Sequence, residues 1–115
     1  MVLKSLKKSL SEIADPEIAK HSMRFFKTGK GEYGEGDKFL GIRVPVLRQH
    51  AKKYRDIALS DLKKLLQSSF HEERLCALIL LVDKFSKGTE EEKSDIYNFY
   101  LGNIAQHEAD NGSGM

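Results

Sequence analysis

The feature that most constrains the fold is a run of eight apolar residues, 75–82, inside the segment HEERLCALILLVDKF. On a helix this run places apolar side chains on nearly every side, which is typical of a central helix that packs against other helices on two sides. Gly88 follows the segment and marks the end of that helix. The chain must therefore supply further helices to cover it.

Helical periodicity supplies these further elements. It predicts about six helices, and the first four span about residues 2–14, 16–27, 45–55 and 60–67. The fifth contains the apolar run, and a sixth follows it. β-branched residues are sparse, whereas Leu, Lys, Glu and Ala are common, which favours helix over strand. We expect an all-α fold of antiparallel helical pairs with mostly short connections.

Two prolines indicate where helices begin. Asp15 precedes Pro16, and this order combines a capping carboxylate with a proline at the first helical position. Pro45 fits the first turn of the third helix. Because a residue before proline avoids the helical region, we expect Val44 to lie outside that helix.

Two capping boxes indicate the starts of the last two helices. Ser69 with Glu72 and Thr89 with Glu92 both have the S/T-x-x-E spacing. In such a box each side chain accepts a hydrogen bond from the backbone of the other residue. The sequence therefore predicts reciprocal caps at both positions.

The segment KTGKGEYGEGDKF, residues 27–39, contains four glycines and cannot sustain a helix. It has no G-x-x-x-x-G-K-[ST] pattern, and no predicted strand precedes it to form a dinucleotide-binding turn. We therefore predict an interhelix loop rather than a nucleotide site. Lys27, Lys30 and Lys38 remain candidates for contact with a nucleic-acid phosphate.

Residue types that carry metal or acid–base chemistry are scattered. The four histidines, His21, His50, His71 and His107, have no H-x-x-x-H spacing, and Cys76 is the single cysteine. Its apolar neighbours indicate a small buried residue rather than a reactive thiol. The carboxylate pairs lie at predicted helix N-termini, where they complement the helix dipole. We therefore predict no catalytic residue, no metal site and no cofactor.

Positive charge is concentrated in the first half of the chain. Residues 1–55 hold 13 Lys and Arg against 6 Asp and Glu, whereas residues 56–115 hold 6 against 11. The densest group of cations is Arg43, Arg48, Lys52, Lys53 and Arg55. Positions 48, 52 and 55 have the spacing of one helix face. The group suits contact with nucleic-acid phosphates, and a solvated helix face is the alternative that remains open.

The string GEGDKFLGIRVPVLR followed by HEERLCAL resembles the DNA alkylation repair (AlkD-like) family. The likeness runs from about Met23 to Asn103 and covers the N-terminal half of the family fold. It implies an α-solenoid, an α-α superhelix of HEAT-like helical pairs whose positive concave face holds duplex DNA. It also implies an alkylpurine DNA glycosylase, which hydrolyses the N-glycosidic bond of alkylated purines.

The sequence departs from that family after DIYNFYLGN. The catalytic aspartate and tryptophans that the resemblance implies belong to a W-D-x-V-D-like stretch, but this chain reads IAQHEADNGSGM there and contains no tryptophan. The neighbours of Asp110 do not match, so the catalytic role is not carried over to it. We therefore expect a noncatalytic fragment, a truncated product or a degenerate paralogue.

The sixth helix is then expected to lack cover. Its apolar residues include Tyr97, Phe99, Tyr100 and Ile104. In a helical array each pair buries its apolar side against the next pair. We expect either self-association or a missing C-terminal half to cover this helix.

The sequence thus predicts one HEAT-like domain over residues 1–106 and a disordered tail over residues 107–115. The start, MVLKSLKKSL, has no apolar run for a signal peptide or a membrane span. The absence of a disulfide framework suits the cytoplasm. The expected function is DNA alkylation repair, with a cationic face on the DNA backbone. A noncatalytic protein-interaction module of helical repeats is the alternative.

Overall fold

A computed structural model describes residues 2–25 and 37–112, with side-chain surroundings as far as residue 102. Within these residues there are six helices and no strand. The helices are α1 (Val2–Glu12), α2 (Pro16–Phe25), α3 (Val44–Lys52), α4 (Leu59–Leu66), α5 (His71–Lys87) and α6 (Glu90–Gly112). The all-α prediction is confirmed, and the solenoid arrangement of the helices stays a prediction. None of the helices described here is both long enough and apolar enough to span a bilayer.

Two of the predicted caps are present. The Asp15 carboxylate accepts hydrogen bonds from the Glu17 N–H at 2.9 Å and the Ile18 N–H at 3.4 Å. The Thr89 N–H donates to Glu92 Oε1 at 3.1 Å, and the Glu92 N–H donates to Thr89 Oγ1 at 3.2 Å. Both caps satisfy N–H groups that a helix start leaves without intrahelical partners.

The predicted box of Ser69 and Glu72 is wrong. The Glu72 carboxylate is directed away from its own helix start and accepts hydrogen bonds from the backbone of a distant segment. Ser68 takes over part of the local role. Its hydroxyl accepts from the Phe70 N–H at 3.0 Å and donates to Glu73 Oε1 at 2.6 Å. The helix begins at His71, so the cap position lies at other residues than the S-x-x-E spacing indicated.

The bounds of α3 also differ from the prediction. Val44 is the first helical residue, and Arg43 before it has the extended conformation, with φ −72° and ψ 147°. The first helical hydrogen bond, from the Leu47 N–H to the Arg43 carbonyl at 3.0 Å, needs Val44 to be helical. Pro45 is tolerated next because the first turn of a helix has no use for its missing N–H. At the other end the helix stops at Lys52 rather than near residue 55.

The backbone forms two compact units, Met1–Leu80 and Leu81–Met115, and each is described separately. In the first unit α1 packs against α3. Ser9 Oγ lies 3.0 Å from His50 Nδ1, and Ser5 Oγ lies 3.3 Å from the Tyr54 hydroxyl. The largest fully buried side chains of this unit are Leu6, Leu10, Leu47, Ile57, Leu62, Leu65, Leu80 and Cys76.

In the second unit Leu81 and Ile96 are buried, whereas several large apolar side chains are exposed. The exposed fractions are 57% for Tyr97, 38% for Tyr100 and 45% for Leu101. The expected exposure of apolar residues on the sixth helix is therefore present at Tyr97 and Tyr100. Phe99 is partly exposed, and Ile104 lies outside the described side chains. α6 reaches Gly112, and the domain boundary at residue 106 stays a prediction.

Candidate nucleic-acid interface

α3 divides its side chains between the core and the solvent. Leu47 and Ala51 are 0% and 1% exposed and lie one turn apart on the inner side of the helix. Arg48 and Lys52 each follow one of these residues, and both are exposed. Because they are four residues apart, the two cations lie next to each other on one face. Packing of the inner side thus fixes the direction in which this pair faces solvent.

The other cations of the group lie beside the helix rather than on the same face. Arg43 is the N-cap residue of α3, and Lys53 is its C-cap residue. Arg55 lies in the turn that follows, where the Ile57 N–H donates to the Tyr54 carbonyl at 3.0 Å. The predicted i, i+4, i+7 face therefore holds for positions 48 and 52 and is wrong for Arg55, because the helix has ended.

These cations have no acidic partners among the described residues. The candidate cations that the structure describes are Lys38, Arg43, Arg48, Lys52, Lys53 and Arg55, and all six are exposed. Within the described residues no carboxylate oxygen lies within 4.0 Å of any of them. Residues 43–55 also contain no Asp or Glu. Their charge is therefore available to an external anion. Lys27 and Lys30 lie outside the described residues.

The segment that leads into α3 is held by a buried carboxylate. Glu72 is 3% exposed. Its Oε1 accepts a hydrogen bond from the Leu40 N–H at 2.9 Å, and its Oε2 accepts from the Gly41 N–H at 2.9 Å and the Ile42 N–H at 3.2 Å. Hydrogen bonds to an ionised acceptor are about twice as strong as neutral ones. This amide clamp, Glu72 with residues 40–42, fixes the backbone immediately before Arg43.

The opposite side of the clamped segment contacts the corner between α1 and α2. The Asp15 N–H lies 3.1 Å from the Leu40 carbonyl and 3.0 Å from the Gly41 carbonyl. Gly41 has a φ of +87°, and a Cβ added there would lie 1.9 Å from the Asp15 carbonyl oxygen. Only glycine combines this φ with so close an approach. The segment is therefore held between α5 and the α1–α2 corner.

The end of the segment nearest the glycine-rich stretch is also held by α5. Arg74 donates to Asp37 Oδ1 at 2.6 Å. The Lys38 N–H donates to the Ser69 carbonyl at 3.3 Å, and the Lys38 carbonyl accepts from the His71 N–H at 2.8 Å. The start of α5 thus holds residues 37–42 at several successive points.

Sequence reasoning missed this clamp. Glu72 was assigned to a local cap, and Gly41 was not singled out. The available signal was the order of G-I-R-V-P and H-E-x-R in the chain, which indicates a family but not a contact. The contact joins residues about 30 positions apart, and no local spacing rule describes such a pair.

A groove of about 680 Å³ lies beside the clamp, and Glu17 and Glu72 are the carboxylates that line it. The two oxygens of Glu72 already accept three N–H groups. Among the described residues there is no cluster of three or more metal-ligating side chains, and no buried side-chain N or O lacks a hydrogen-bond partner. Burial, with a smaller contribution from Glu73, raises the pKa of the Cys76 thiol to about 11.

Comparison with known proteins connects this arrangement to a family. A family model described as DNA alkylation repair enzyme matches residues 6–111. The chain belongs to the DNA alkylation repair enzyme family. The matched residues include the amide clamp and every described candidate cation, so the resemblance expected from G-I-R-V-P and H-E-x-R is confirmed. A search of curated proteins found no match, and a search of solved structures found none.

Membership of the DNA alkylation repair family indicates DNA as the polyanion that the exposed cations could contact. A repair enzyme of this family acts on DNA, whose backbone carries one phosphate charge per nucleotide. The cations in and beside α3 are exposed and have no acidic partner among the described residues. Phosphate contact is therefore the chemistry that this surface suits best.

Proposed function

We propose that this member of the DNA alkylation repair family binds the phosphate backbone of duplex DNA through the cationic face of α3, defined as Arg48 and Lys52 with Arg43, Lys53 and Arg55 beside them. The observation that carries the proposal is the exposure of these five side chains without a described acidic partner. Lys38 and, outside the described residues, Lys27 and Lys30 are further candidates for the same contact.

The geometry of α3 supports contact with more than one phosphate. Residues four positions apart on a helix are separated by about 6 Å along its axis. One DNA strand rises about 3.4 Å per nucleotide, so Arg48 and Lys52 together span roughly two nucleotides of axial rise. Each cation that neutralises a phosphate releases counterions, and this release favours binding at low salt. Such contacts hold the protein on the duplex without reading its sequence.

We further propose that this chain supplies DNA contacts rather than the glycosylase reaction. The family resemblance implies a catalytic aspartate and tryptophans in a W-D-x-V-D-like stretch, and the 115 residues contain no tryptophan. The groove carboxylate Glu72 accepts three hydrogen bonds from backbone amides. The test is an assay for release of 7-methylguanine from alkylated duplex DNA. Release of base by the purified chain would overturn this part of the proposal.

The binding proposal is tested by a charge reversal with a matched control. The test variant carries Arg48→Glu, Lys52→Glu and Lys53→Glu. The control carries Lys20→Glu, Lys63→Glu and Lys64→Glu, which changes the net charge equally at exposed lysines of α2 and α4. Binding to an unmodified duplex is followed by fluorescence anisotropy between 50 and 200 mM NaCl, and circular dichroism checks folding.

We expect the α3 variant to lose binding while it keeps its helical spectrum, and the control to bind with a reduced affinity and an unchanged salt slope. The wild-type slope of log K against log [salt] should have a magnitude of about 3 to 5, because each phosphate contact contributes about 0.9. An affinity that does not depend on salt would refute the proposal. Equal loss of binding in the two variants would also refute the proposal, because the change in net charge alone would then explain the loss.

Exposed apolar residues on α6 favour a second function, association through that helix. Tyr97 and Leu101 are about half exposed, and Tyr100 lies between them on the same side. We propose that a second copy of the chain covers this side. Light scattering should show a concentration-dependent dimer, and Tyr97→Ser with Leu101→Ser should abolish it. A wild-type chain that stays monomeric at high concentration would refute this proposal.

A further inference from the structure

We propose that Glu72 is a positioning residue for DNA binding, which acts by holding Arg43 and the first turn of α3 in place for contact with phosphate. This inference rests on the proposed binding of the DNA backbone through α3. It concerns a residue that is only 3% exposed and whose carboxylate oxygens are bonded to backbone amides, so its effect is expected to pass through the backbone that it holds.

The path from the carboxylate to the cation is short. Glu72 Oε2 accepts from the Ile42 N–H at 3.2 Å, and Ile42 is 7% exposed. The next residue, Arg43, is exposed and is the N-cap residue of α3. Its carbonyl accepts the first helical hydrogen bond, from Leu47, at 3.0 Å. The chain thus passes from a buried amide held by Glu72 to a solvent-exposed guanidinium within one residue.

Glu72 also leaves Arg43 unpaired. Both residues line the same groove, yet within the described residues no carboxylate oxygen lies within 4.0 Å of Arg43. The two oxygens of Glu72 accept three N–H groups instead. The carboxylate therefore holds the backbone before Arg43 without pairing with its guanidinium.

A matched residue separates positioning from simple stabilisation. Glu73 lies in the same turn of α5 and is also buried, at 7% exposed. Its partners are the Ser68 hydroxyl at 2.6 Å and the Lys7 ammonium at 3.6 Å. Lys7 lies in α1, and neither partner belongs to the backbone segment that leads directly into α3. Glu73→Gln is therefore expected to weaken the fold without moving Arg43.

The substitution Glu72→Gln replaces one acceptor oxygen by an NH₂ group. At least one of the three backbone N–H groups of residues 40–42 then faces a donor and loses its acceptor. Because the backbone before Arg43 must shift to relieve this clash, the Arg43 side chain then extends from a displaced backbone position. The substitution also removes a negative charge, which by itself strengthens binding to DNA. A weaker affinity would therefore have the opposite sign to the charge effect.

The experiment compares the salt dependence of duplex binding for the wild type, Glu72→Gln, Glu73→Gln, Arg43→Gln and the double variant of positions 43 and 72. The probe is an unmodified duplex of about 16 base pairs, measured by fluorescence anisotropy at a temperature where circular dichroism shows every variant folded. We expect Glu72→Gln and Arg43→Gln each to reduce the magnitude of the salt slope by about one phosphate contact. The double variant should lose no more than either single variant, and Glu73→Gln should keep the wild-type slope.

Three results would overturn the inference. A folded Glu72→Gln variant with the wild-type slope would show that Glu72 positions nothing for binding. Additive losses in the double variant would show that Glu72 does not act through Arg43. An equal reduction of the salt slope in Glu73→Gln would show that reduced stability of the fold, rather than the position of Arg43, explains the weaker binding. If the wild type itself lacks salt-dependent binding, the proposed function fails first, and that outcome is visible without any variant.

Glu72→Asp keeps the inference testable if Glu72→Gln does not fold. It retains both acceptor oxygens but shortens the side chain by one CH₂ group, so the amides of residues 40–42 must move to reach it. We expect a folded Glu72→Asp variant to bind several-fold more weakly than wild type. Unchanged affinity and slope in that variant would overturn the inference.

Discussion

Replacement of Gly41 by alanine tests whether the backbone before α3 depends on its close approach to the α1–α2 corner. The new Cβ would lie 1.9 Å from the Asp15 carbonyl oxygen and 2.7 Å from the Ala19 nitrogen. Both are backbone atoms, so no flexible side chain can move aside. The corner and the segment must therefore separate by at least about 1.5 Å to reach an ordinary contact distance.

The cost follows from the bonds that this separation breaks. The Asp15 N–H donates to the Leu40 carbonyl at 3.1 Å and to the Gly41 carbonyl at 3.0 Å, and both bonds cross the contact that must open. Loss of two such hydrogen bonds costs about 2 kcal/mol. An alanine at a φ of +87° adds about 1 kcal/mol of backbone strain. The expected loss in the free energy of unfolding is roughly 3 kcal/mol, or about 12 °C in Tm for a chain of this size.

The assay is urea and thermal unfolding followed by circular dichroism, with Gly102→Ala as the control. A Cβ at Gly102 meets nothing within 4 Å, and its position is inside α6. Alanine there should stabilise the helix by about 0.5–1 kcal/mol. The two variants make the same chemical change with opposite expected signs. A Gly41→Ala variant within 1 kcal/mol of wild type would refute the close packing described for this segment.

Three further predictions follow from buried or capped groups. Leu47→Ala removes a fully buried side chain of α3 and should cost about 2–5 kcal/mol in urea unfolding; a smaller loss would contradict its burial. Because the pKa of Cys76 is raised to about 11, the thiol should resist a disulfide reagent at pH 8 until urea unfolds the chain, and rapid labelling of native protein would contradict this. The Thr89 backbone N–H, with a smaller contribution from the Thr89 side chain, holds the pKa of Glu92 below its ordinary 4.5, so Glu92→Gln should destabilise most above that pH. The difference from wild type should shrink as pH falls through the lowered pKa, and a difference independent of pH between 3 and 7 would contradict the cap.

Features that depend on neighbouring residues could be predicted from the sequence. Asp15 and Thr89 were assigned as caps correctly because their partners lie two or three positions away. The apolar run in α5 and the periodic leucines of α1 gave the helices for the same reason. Charge counting located the cations of α3, since five of them fall within residues 43–55.

Features that depend on distant contacts could not be predicted. Glu72 has the spacing of a capping box with Ser69, but its carboxylate instead accepts hydrogen bonds from the three backbone amides of residues 40–42. The end of α3 was missed because no glycine or proline marks it. The chain leaves the helix after Lys52, and Ile57, which is 1% exposed, is then buried. In both cases tertiary contacts override a local pattern.

The same competition explains why the cations of α3 remain free in a chain of nearly balanced charge. Glu72 lines the groove together with Arg43, and an ion pair between them would place the guanidinium in a fixed internal contact. The backbone amides use the carboxylate first because a buried anion needs several hydrogen bonds to offset its desolvation. The negative charge of Glu72 is thus stabilised by internal hydrogen bonds, and the positive charge of Arg43 stays exposed at the surface. Glu72→Ala should therefore weaken DNA binding even though it makes the protein more positive, and a gain in affinity would refute this reasoning.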